Sequence, residues 1–524
     1  MKWNVRIAGG AALLFLVLFV RLGSLSLWDQ DEAAYAGFGS RMIETGNWII
    51  PEFPWSELHR KPPLHFWAIA ASFAAFGINE FSLRLESAMS VCLLFVLIYH
   101  EGKKLWGKEV AFTSACVLGT SLLVPALGHV ALTDGALLLF VTLSMLSWLQ
   151  VMQDGPFHYV ILFWLGFSLA LLTKGPPVVM VTGMAAALSL FSPQRKRLLR
   201  FHPWFFLPLA VLPVLIWGWL AWKIDGGEFI RWMLDWYVLR RAAGGSVFGQ
   251  WGPPGYYLVS FLLFFLPWLA WLPAASLTAF RSIWNRQDPP FLLLIWLVAG
   301  WAIFEFVPSK LPTYAVMAHV PLAVFVAREF EAGTVPAKLW RILQAGFFLL
   351  IGIGLLVGPW YLQFGTKAIF ACVPSALLAL LAGILSFRET RQTFFLAFCV
   401  KACFLIGVFG FSIPAMDELK NATRRCAEVA RQLASGQEEV IVANRRASPP
   451  SLIFYLERQG VTWLEVYDLQ ALKRLAAEPQ KRVFILNSEQ ADELRKANLL
   501  REERRIEGIQ PDRTAKVDYV VARN

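Results

Sequence analysis

The chain has 524 residues, of which 57% are hydrophobic and only 16% carry a charge. This composition excludes an ordinary soluble protein and predicts a membrane protein with many spans. The formal net charge of +11 does not indicate nucleic-acid binding, because the basic residues are scattered in short clusters between apolar runs, as in cytoplasmic loops.

The first predicted element is an apolar helix over residues 7–27, which is long enough to span a bilayer. Lys2 and Arg6 precede it and place its amino terminus in the cytoplasm. A cleaved signal peptide is the alternative, but the apolar run is long and has no small-residue cleavage motif. The sequence therefore favours an uncleaved first span.

Residues 28–67 follow directly and combine acids, aromatic residues and one Lys-Pro-Pro at the edge of the membrane. Carboxylates such as those of Asp31 and Glu32 are costly to hold in hydrocarbon, so they need a wet cavity, a partner or a function. The apolar run 62–77 is short and opens with Pro-Pro, which predicts a juxtamembrane helix that does not cross the bilayer.

The remaining apolar runs complete a set of thirteen predicted spans. They cover residues 7–27, 83–101, 109–128, 135–152, 158–173, 177–192, 204–222, 255–279, 291–307, 313–327, 341–359, 368–387 and 392–412. With a cytoplasmic amino terminus, this count puts every strong basic cluster between spans on the cytoplasmic side. We therefore predict a polytopic α-helical membrane domain over residues 1–414, with an outer loop 28–82 that contains juxtamembrane helices.

The composition changes after about residue 414. Charged helical stretches are predicted at 417–433, 450–459, 470–478 and 488–497, and short β-branched strands at 440–443, 482–486 and 517–521. This alternation predicts a small α/β domain over residues 415–524, and the odd number of spans places it on the outer face. Because it has no phosphate loop or nucleophile motif, we expect it to serve binding, packing or folding.

Six polar features collect on the same outer face. They are Asp31 with Glu32, Lys61, Asp134, Lys174, the aromatic loop 223–257, and Lys310. Acids beside separated lysines suit a site that holds a phosphate-bearing lipid and activates a hydroxyl group. Each feature alone has a plainer explanation, namely helix capping for the acids, snorkelling for the lysines and an aromatic belt for the loop. Their joint occurrence favours a site.

No metal centre is predicted. The histidines, which include His59, His65, His129 and His319, are not at ligand spacing and are assigned to packing or hydrogen bonding. The six cysteines form neither a CxxC pair nor a disulfide framework. A divalent metal is possible but unsupported by the residue pattern, and no cofactor is indicated.

Several motifs in this face resemble a known family. Residues 28–67 contain, in order, W-x-x-D-E-x-x-Y, M-x-x-x-G-x-W-x-x-P and K-P-P-L-x-x-W. These patterns are similar to the first outer loop of polytopic glycosyltransferases of the GT-C type, especially the aminoarabinose (lipid A) transferase and protein O-mannosyltransferase group. The similarity continues through Thr133-Asp134, Thr173-Lys174-Gly175, F-G-Q-x-x-P-x-x-Y-Y at 248–257 and S-K-L-P-T-Y at 309–314. Thirteen spans and an outer carboxy-terminal domain are also that family's architecture.

The resemblance implies an inverting glycosyltransferase of the bacterial inner membrane. Such an enzyme moves a sugar from a polyprenyl (undecaprenyl) phosphate carrier to a periplasmic acceptor such as lipid A, lipopolysaccharide core, another glycan or a protein, and we expect it to act as a monomer. Asp31 matches the family's candidate catalytic aspartate, and Asp134 matches a second acid in the same cavity. Glu32 is included as a third candidate catalytic acid.

The resemblance also implies a set of substrate-binding residues. Lys61 and Lys174 match positions expected near the carrier phosphate, where positive charge stabilises the leaving group. The same role is extended to three further basic residues, and the tyrosines of the motifs are expected to bind substrate. The extended set is Lys310, Arg240, Arg241, Tyr35, Tyr256, Tyr257 and Tyr314.

Two positions depart from the aminoarabinose transferases. Those proteins carry an acid just before the Lys-Pro, as part of a metal-binding arrangement, where this chain has Arg60, and Arg-Tyr where it has Ala34-Tyr35. Neither aminoarabinose specificity nor that metal therefore follows from the resemblance. A flippase or transporter of lipid-linked sugar stays open as an alternative, although the pattern of residues 28–67 is not repeated in the second half. A non-catalytic assembly factor is a further alternative.

Overall fold

A computed structural model describes residues 3–240, 250–286, 290–362, 364–417, 422–434, 438–443, 449–510 and 515–524. The part before residue 416 is helical. Its helices are α1 Trp3–Phe19, α2 Asp31–Thr45, α3 Leu64–Phe76, α4 Glu80–Trp106, α5 Lys108–Gly119, α6 Leu123–Gly128, α7 Thr133–Met152, α8 His158–Thr173, α9 Pro176–Ser189, α10 Pro203–Asp225, α11 Glu228–Leu234, α12 Tyr256–Phe264, α13 Leu272–Asn285, α14 Pro290–Ala299, α15 Ala302–Phe306, α16 His319–Glu331, α17 Lys338–Tyr361, α18 Gly365–Leu385 and α19 Phe394–Ala415.

Six of the described helices are long and apolar enough to cross a membrane, namely α4, α7, α10, α17, α18 and α19. Five shorter apolar segments, α1, α3, α8, α9 and the pair α14–α15, accompany them. The chain is therefore a multi-pass helical membrane protein. The count of thirteen spans stays a prediction.

Two predicted spans are interrupted. The predicted helix 255–279 is divided, because α12 ends before Pro267 and α13 begins only at Leu272. The predicted helix 313–327 starts as a 3₁₀ turn, Pro312–Ala318, before α16. A proline has no N–H to donate and clashes with the preceding turn, so a continuous helix through Pro267 is disfavoured.

The segment between α1 and α4 contains the two helices α2 and α3. Helix α2 ends at Gly46, whose left-handed conformation lets its N–H donate to the carbonyl of Met42. Within α2, a Cβ at Gly37 would lie 2.1 Å from the Phe53 ring, so only glycine allows this close approach. Loop 46–60 thus folds back onto α2 and holds its outer side.

The residues after 421 form a five-stranded mixed sheet with four helices, α20 Ala422–Leu433, α21 Pro450–Arg458, α22 Leu469–Ala477 and α23 Ser488–Lys496. The strands are β1 Val440–Val442, β2 Trp463–Glu465, β3 Val483–Leu486, β4 Glu502–Gln510 and β5 Ala515–Arg523, in the order β2-β1-β3-β5-β4. Strands β1, β2 and β3 are parallel, whereas β5 runs antiparallel to β3 and β4. The four helices and the strands near 440, 483 and 517 match the prediction, while β2 and β4 were not predicted.

Of the four apolar clusters among the described residues, the two largest relate the helical part to the carboxy-terminal region. The larger one fills the helical part, from α1 to α19. The second joins Leu27, α2 and α3 to buried residues of α20, α21 and the sheet. Because one core is shared, the carboxy-terminal sheet region packs directly on α2, the helix that begins with Asp31.

Candidate active site

Asp31 is the first residue of α2 and the centre of a polar cluster. Its Oδ1 accepts a hydrogen bond from the hydroxyl of Tyr35, one turn later in the helix, at 2.9 Å. His59 Nδ1 lies 3.2 Å and Lys61 Nζ 3.3 Å from the same oxygen. Three side chains from two separate stretches of the outer segment therefore converge on one carboxylate oxygen.

Lys61 is held by more than the carboxylate. Its ammonium also donates to the Tyr35 hydroxyl, and lies 4.7 Å from the centroid of that ring and 5.9 Å from the ring of Tyr237. Aromatic faces attract cations. The Tyr237 hydroxyl donates to the carbonyl of Leu58 at 2.8 Å, which fastens residues 235–239 to the turn that carries His59.

The electrostatics keep Asp31 ionised. Burial of the carboxyl group alone would raise its pKa, but the Lys61 ammonium, and then His59 and Tyr35, hold the pKa of Asp31 well below its ordinary value. Burial and the charge of Asp31 hold the pKa of Tyr35 well above its ordinary value, so this phenol is a neutral donor. The Asp31 side chain is 45% exposed, against 11% for Lys61, so the carboxylate is open to a ligand.

Glu32 has a different environment from its neighbour. The side chain is fully buried, and its two oxygens accept from Arg84 Nε at 2.7 Å and Nη2 at 2.8 Å. The backbone N–H groups of Trp28 and Ala131 donate to the same carboxylate. Both oxygens are thus used inside the protein, which makes Glu32 a structural ion pair rather than a group open to substrate. The structure therefore gives no support to its predicted catalytic role.

A second acid and base pair comes from the TD and TKG motifs. Both carboxylate oxygens of Asp134 accept from Lys174 Nζ, at 2.8 and 2.7 Å. Lys174 Nζ also lies 5.7 Å from the ring centroid of Tyr314. The Asp134 charge contributes to the raised pKa of Tyr35, so the two pairs are within electrostatic reach of each other. The structure therefore groups Asp31 with Tyr35 and Lys61, and separately groups Asp134 with Lys174 and Tyr314.

Lys310 is placed differently. Its ammonium donates to the backbone carbonyls of Phe304 and Glu305 at 2.6 and 2.7 Å, lies 3.9 Å from the Glu305 carboxylate, and is almost fully buried. It thus satisfies the end of α15, a role that differs from the predicted phosphate contact. The main-chain N–H of Lys310 donates to Gln250 O. The Lys310 side chain packs closely on Gly252, where a Cβ would lie 2.8 Å from it.

The other predicted binding residues are dispersed. Tyr257 is buried beside Lys310, at 5.2 Å from ring centroid to ammonium, and Tyr256 packs edge-on against Tyr257. Arg240 is exposed, and its guanidinium pairs with Asp235 at 2.7 Å. Arg241 lies outside the described residues. The partners described for Tyr256, Tyr257 and Arg240 therefore differ from those of Asp31.

Three contributors were not identified from the sequence as part of the site. His59 is predicted only to pack or hydrogen-bond, Tyr237 is predicted only as part of the aromatic loop 223–257, and Arg84 is not predicted at all. An arginine inside an apolar run needs a buried acid, so Arg84 could have indicated a partner such as Glu32. Among the residues that the structure describes, no group of three or more His, Cys, Asp or Glu side chains is placed to hold a metal ion.

The fold matches solved membrane glycosyltransferases. ArnT from Cupriavidus metallidurans in the apo state superposes with a TM-score of 0.76 over 99% of this chain and 97% of that one, at 18% identity. The same protein bound to undecaprenyl phosphate gives the same score. The oligosaccharyltransferase of Archaeoglobus fulgidus in the apo form matches at 0.50 over 93% of this chain and 69% of that one, at 12% identity. The chain thus has the GT-C fold.

Sequence comparisons find similarity to transferases that use lipid-linked sugars. Residues 60–220 match the model for dolichyl-phosphate-mannose-protein mannosyltransferase. The undecaprenyl phosphate-alpha-4-amino-4-deoxy-L-arabinose arabinosyl transferase 2 of Proteus mirabilis is 29% identical over 60% of this chain and 58% of its own length. The corresponding transferase of Shewanella sediminis is 29% identical, over 68% of this chain and 66% of its own length.

These similarities to aminoarabinose and protein mannosyl transferases confirm the resemblance predicted from the motifs. It aligns with less than two thirds of the length of the first of these curated relatives.

Proposed function

We propose that the chain is an inverting glycosyltransferase that moves a sugar from an undecaprenyl-phosphate carrier to a periplasmic acceptor such as lipid A, lipopolysaccharide core, another glycan or a protein. One observation carries the proposal: an ionised, half-exposed carboxylate, Asp31, lies 3.3 Å from a lysine ammonium at the start of a juxtamembrane helix. A sugar hydroxyl needs a carboxylate, and a phosphate leaving group needs a cation.

The reaction needs one bond to form as another breaks. The acceptor hydroxyl oxygen attacks the anomeric carbon from the side opposite the phosphate, and the bond between that carbon and the phosphate oxygen breaks. Polyprenyl phosphate leaves with the electron pair, and Asp31 takes the hydroxyl proton. The anomeric configuration is inverted because the attack is a single displacement.

Lys61 connects binding of the donor phosphate with proton acceptance by Asp31. Without donor, its ammonium lies beside Asp31 and weakens that carboxylate as a base, since it favours the ionised form. When the donor binds, its phosphate competes with the Asp31 carboxylate for the positive charge of Lys61. Asp31 then becomes more basic when the donor is in place, which couples proton acceptance to donor binding.

Lys174 supplies a second cation for donor binding. Its ammonium is neutralised by Asp134 and remains 14% exposed, so it can exchange part of that contact for a phosphate oxygen. The neutral phenol of Tyr35 orients Asp31 from the helix side. We assign donor binding to Lys61 and Lys174, and proton acceptance to Asp31.

The relatives suggest one donor to test first. They are named for 4-amino-4-deoxy-L-arabinose carried on undecaprenyl phosphate. In this chain Arg60, where those relatives are expected to carry an acid, donates from Nε to the carbonyl of Pro51 at 2.9 Å, and its guanidinium lies 5.8 Å from the Phe229 ring centroid. A cation at this position does not replace an acid, so we expect a different sugar.

We also propose the predicted topology and organisation. Thirteen spans, a cytoplasmic amino terminus and an inner-membrane location would put Asp31 in the periplasm. Residues 1–414 would form the membrane domain, and residues 415–524 would form a periplasmic α/β domain. Single cysteines introduced at exposed Lys104 and Lys496 test this arrangement. A membrane-impermeant maleimide applied to intact spheroplasts should label only the second.

The activity is tested with the purified full chain in lipid nanodiscs. Undecaprenyl-phosphate-linked sugars are supplied in turn with lipid A, and mass spectrometry follows the acceptor and the released carrier. Transfer adds the mass of one sugar to the acceptor, whereas a flippase leaves the donor intact. Asp31→Asn should abolish transfer. Glu44→Gln is the matched control, because Glu44 lies on the same helix with the same 45% side-chain exposure. Full turnover in Asp31→Asn would remove that residue from the chemistry.

A further inference from the structure

The guanidinium of Arg84 holds the connection between α1 and α2, residues 20–30. Arg84 of α4 donates to the carbonyls of Leu22, Leu25 and Ser26, at 3.2, 2.9 and 3.0 Å, in addition to its pair with Glu32. All these contacts come from the membrane part. They hold the backbone just before Asp31.

The carboxy-terminal region holds the same connection through a second set of contacts. The Ser26 N–H and hydroxyl donate to the Asp417 carboxylate at 3.0 and 2.9 Å. The Leu27 N–H donates to the Tyr455 hydroxyl at 3.0 Å, and this hydroxyl donates in turn to Glu80 at the start of α4. Tyr455 therefore bridges the connection and the membrane helix.

The most buried of these contacts lies two residues before Asp31. The Asp29 carboxylate, only 2% exposed as a residue, accepts from the N–H of Ser451 at 3.1 Å and from its hydroxyl at 2.6 Å. Ser451 is fully buried and lies in the first turn of α21, where free N–H groups and the helix dipole favour a negative charge. The Ser451 hydroxyl also meets Thr423 at 2.9 Å.

The position of this contact suggests its consequence. Asp29 is separated from Asp31 only by Gln30, whose side chain meets His59 Nε2 at 3.2 Å, while His59 Nδ1 faces Asp31. A change in the direction of the Asp29 side chain therefore shifts the backbone that starts α2. Displacement of a reacting group by about 1 Å is enough to lower a rate about 100-fold.

We infer that Ser451 is a positioning residue: by binding Asp29, the carboxy-terminal region sets the place and direction of the Asp31 carboxylate. Ser451 does not touch the substrate in this account, and its effect is transmitted through residues 29–31. The inference rests on the proposed function for the role of Asp31, but the placement itself is a property of the protein without substrate.

The test uses the full chain in nanodiscs and two readouts. Ser451→Ala removes the hydroxyl donor to Asp29, Ser451→Thr keeps a hydroxyl, and Ser488→Ala is the matched control. Ser488 also bonds an acid, Asp518, but lies in α23, away from Asp29. Hydrogen exchange of the peptide covering residues 26–40 reports placement, and steady-state transfer gives kcat and the KM for lipid-linked sugar.

We expect Ser451→Ala to speed exchange in residues 26–40 and to lower kcat about tenfold or more, with the donor KM changed less than about twofold. Ser451→Thr should recover most of the kcat, and Ser488→Ala should match wild type. Unchanged exchange and kcat in Ser451→Ala would overturn the inference, as would faster exchange spread evenly over the carboxy-terminal region. If Asp31→Asn keeps full turnover, the proposed function fails instead, while the exchange result still decides whether Ser451 positions the segment.

Discussion

Loss of charge at the adjacent acids Asp31 and Glu32 should change the free energy of unfolding by very different amounts. Glu32→Gln should lower the free energy of unfolding by about 3–5 kcal/mol, the usual cost of breaking a buried ion pair from one side. Asp31→Asn should change it by less than about 1 kcal/mol, because its carboxylate is half exposed and its pairs are partly screened.

The magnitude for Glu32 follows from its four donors. The carboxylate accepts two bonds from Arg84 and one each from the N–H groups of Trp28 and Ala131. A glutamine amide offers one carbonyl oxygen, and its NH₂ group then faces donors on the other side. Two charge-assisted bonds are lost at about 1.5–3 kcal/mol each, which agrees with the total above. Arg84 is left buried without a counter-charge.

The assay is unfolding of the purified protein in one fixed detergent, with turnover measured on the same preparation. Glu44→Gln provides the surface comparison, since its partner Arg41 is 3.2 Å away and both side chains are exposed to about the same extent. We expect Glu44→Gln to stay within about 1 kcal/mol of wild type. If Glu32→Gln keeps wild-type stability but loses turnover, Glu32 belongs to the chemistry and the structural assignment is wrong.

Substitution of Lys61, Lys174 or Lys310 should affect activity and stability in three different ways. Lys61→Gln removes the cation that lowers the pKa of Asp31, so the acidic limb of the pH–rate profile should move to higher pH. Stability from Asp31, which is present above its unfolded pKa of about 3.9 and lost as pH falls through the folded value, should then fail at a higher pH. Lys174→Met should raise the donor KM and lower the unfolding midpoint, and adding Asp134→Asn should restore the midpoint but not the KM. Lys310→Met should lower the midpoint without a selective change in KM, because its ammonium binds backbone carbonyls; a donor-specific KM effect would contradict that.

The sequence predicted the class of protein because hydropathy and motif order are local properties. The span at 83–101, the short helix after Lys61 and the charged helices of the carboxy-terminal region are all found, with boundaries shifted by a few residues. Strand β4 was missed because its residues 502–507, Glu-Glu-Arg-Arg-Ile-Glu, are mostly charged and its pairing with β5 is decided by distant chain.

The site was predictable in part for the same reason. Asp31, Lys61, Asp134 and Lys174 lie in short motifs, and the structure pairs them as two acid and base couples. The division of labour between Asp31 and Glu32 was not predictable, because it depends on Arg84, a residue 52 positions away that selects one of two neighbouring acids. The contacts of Lys310 were not predictable either, because its ammonium binds backbone carbonyls and a sequence motif gives no information about those.

The fastening of residues 26–29 has a consequence for biosynthesis. The partners of Ser26, Leu27 and Asp29 follow them by 391, 428 and 422 residues. At about 5–20 residues per second, roughly 20–90 s pass between synthesis of residues 26–29 and synthesis of the groups that hold them. During that interval the segment before Asp31 has only its contacts with the helical part, such as those of Arg84. We therefore expect a chain that is still being synthesised to hold Asp31 less firmly than the full-length chain does.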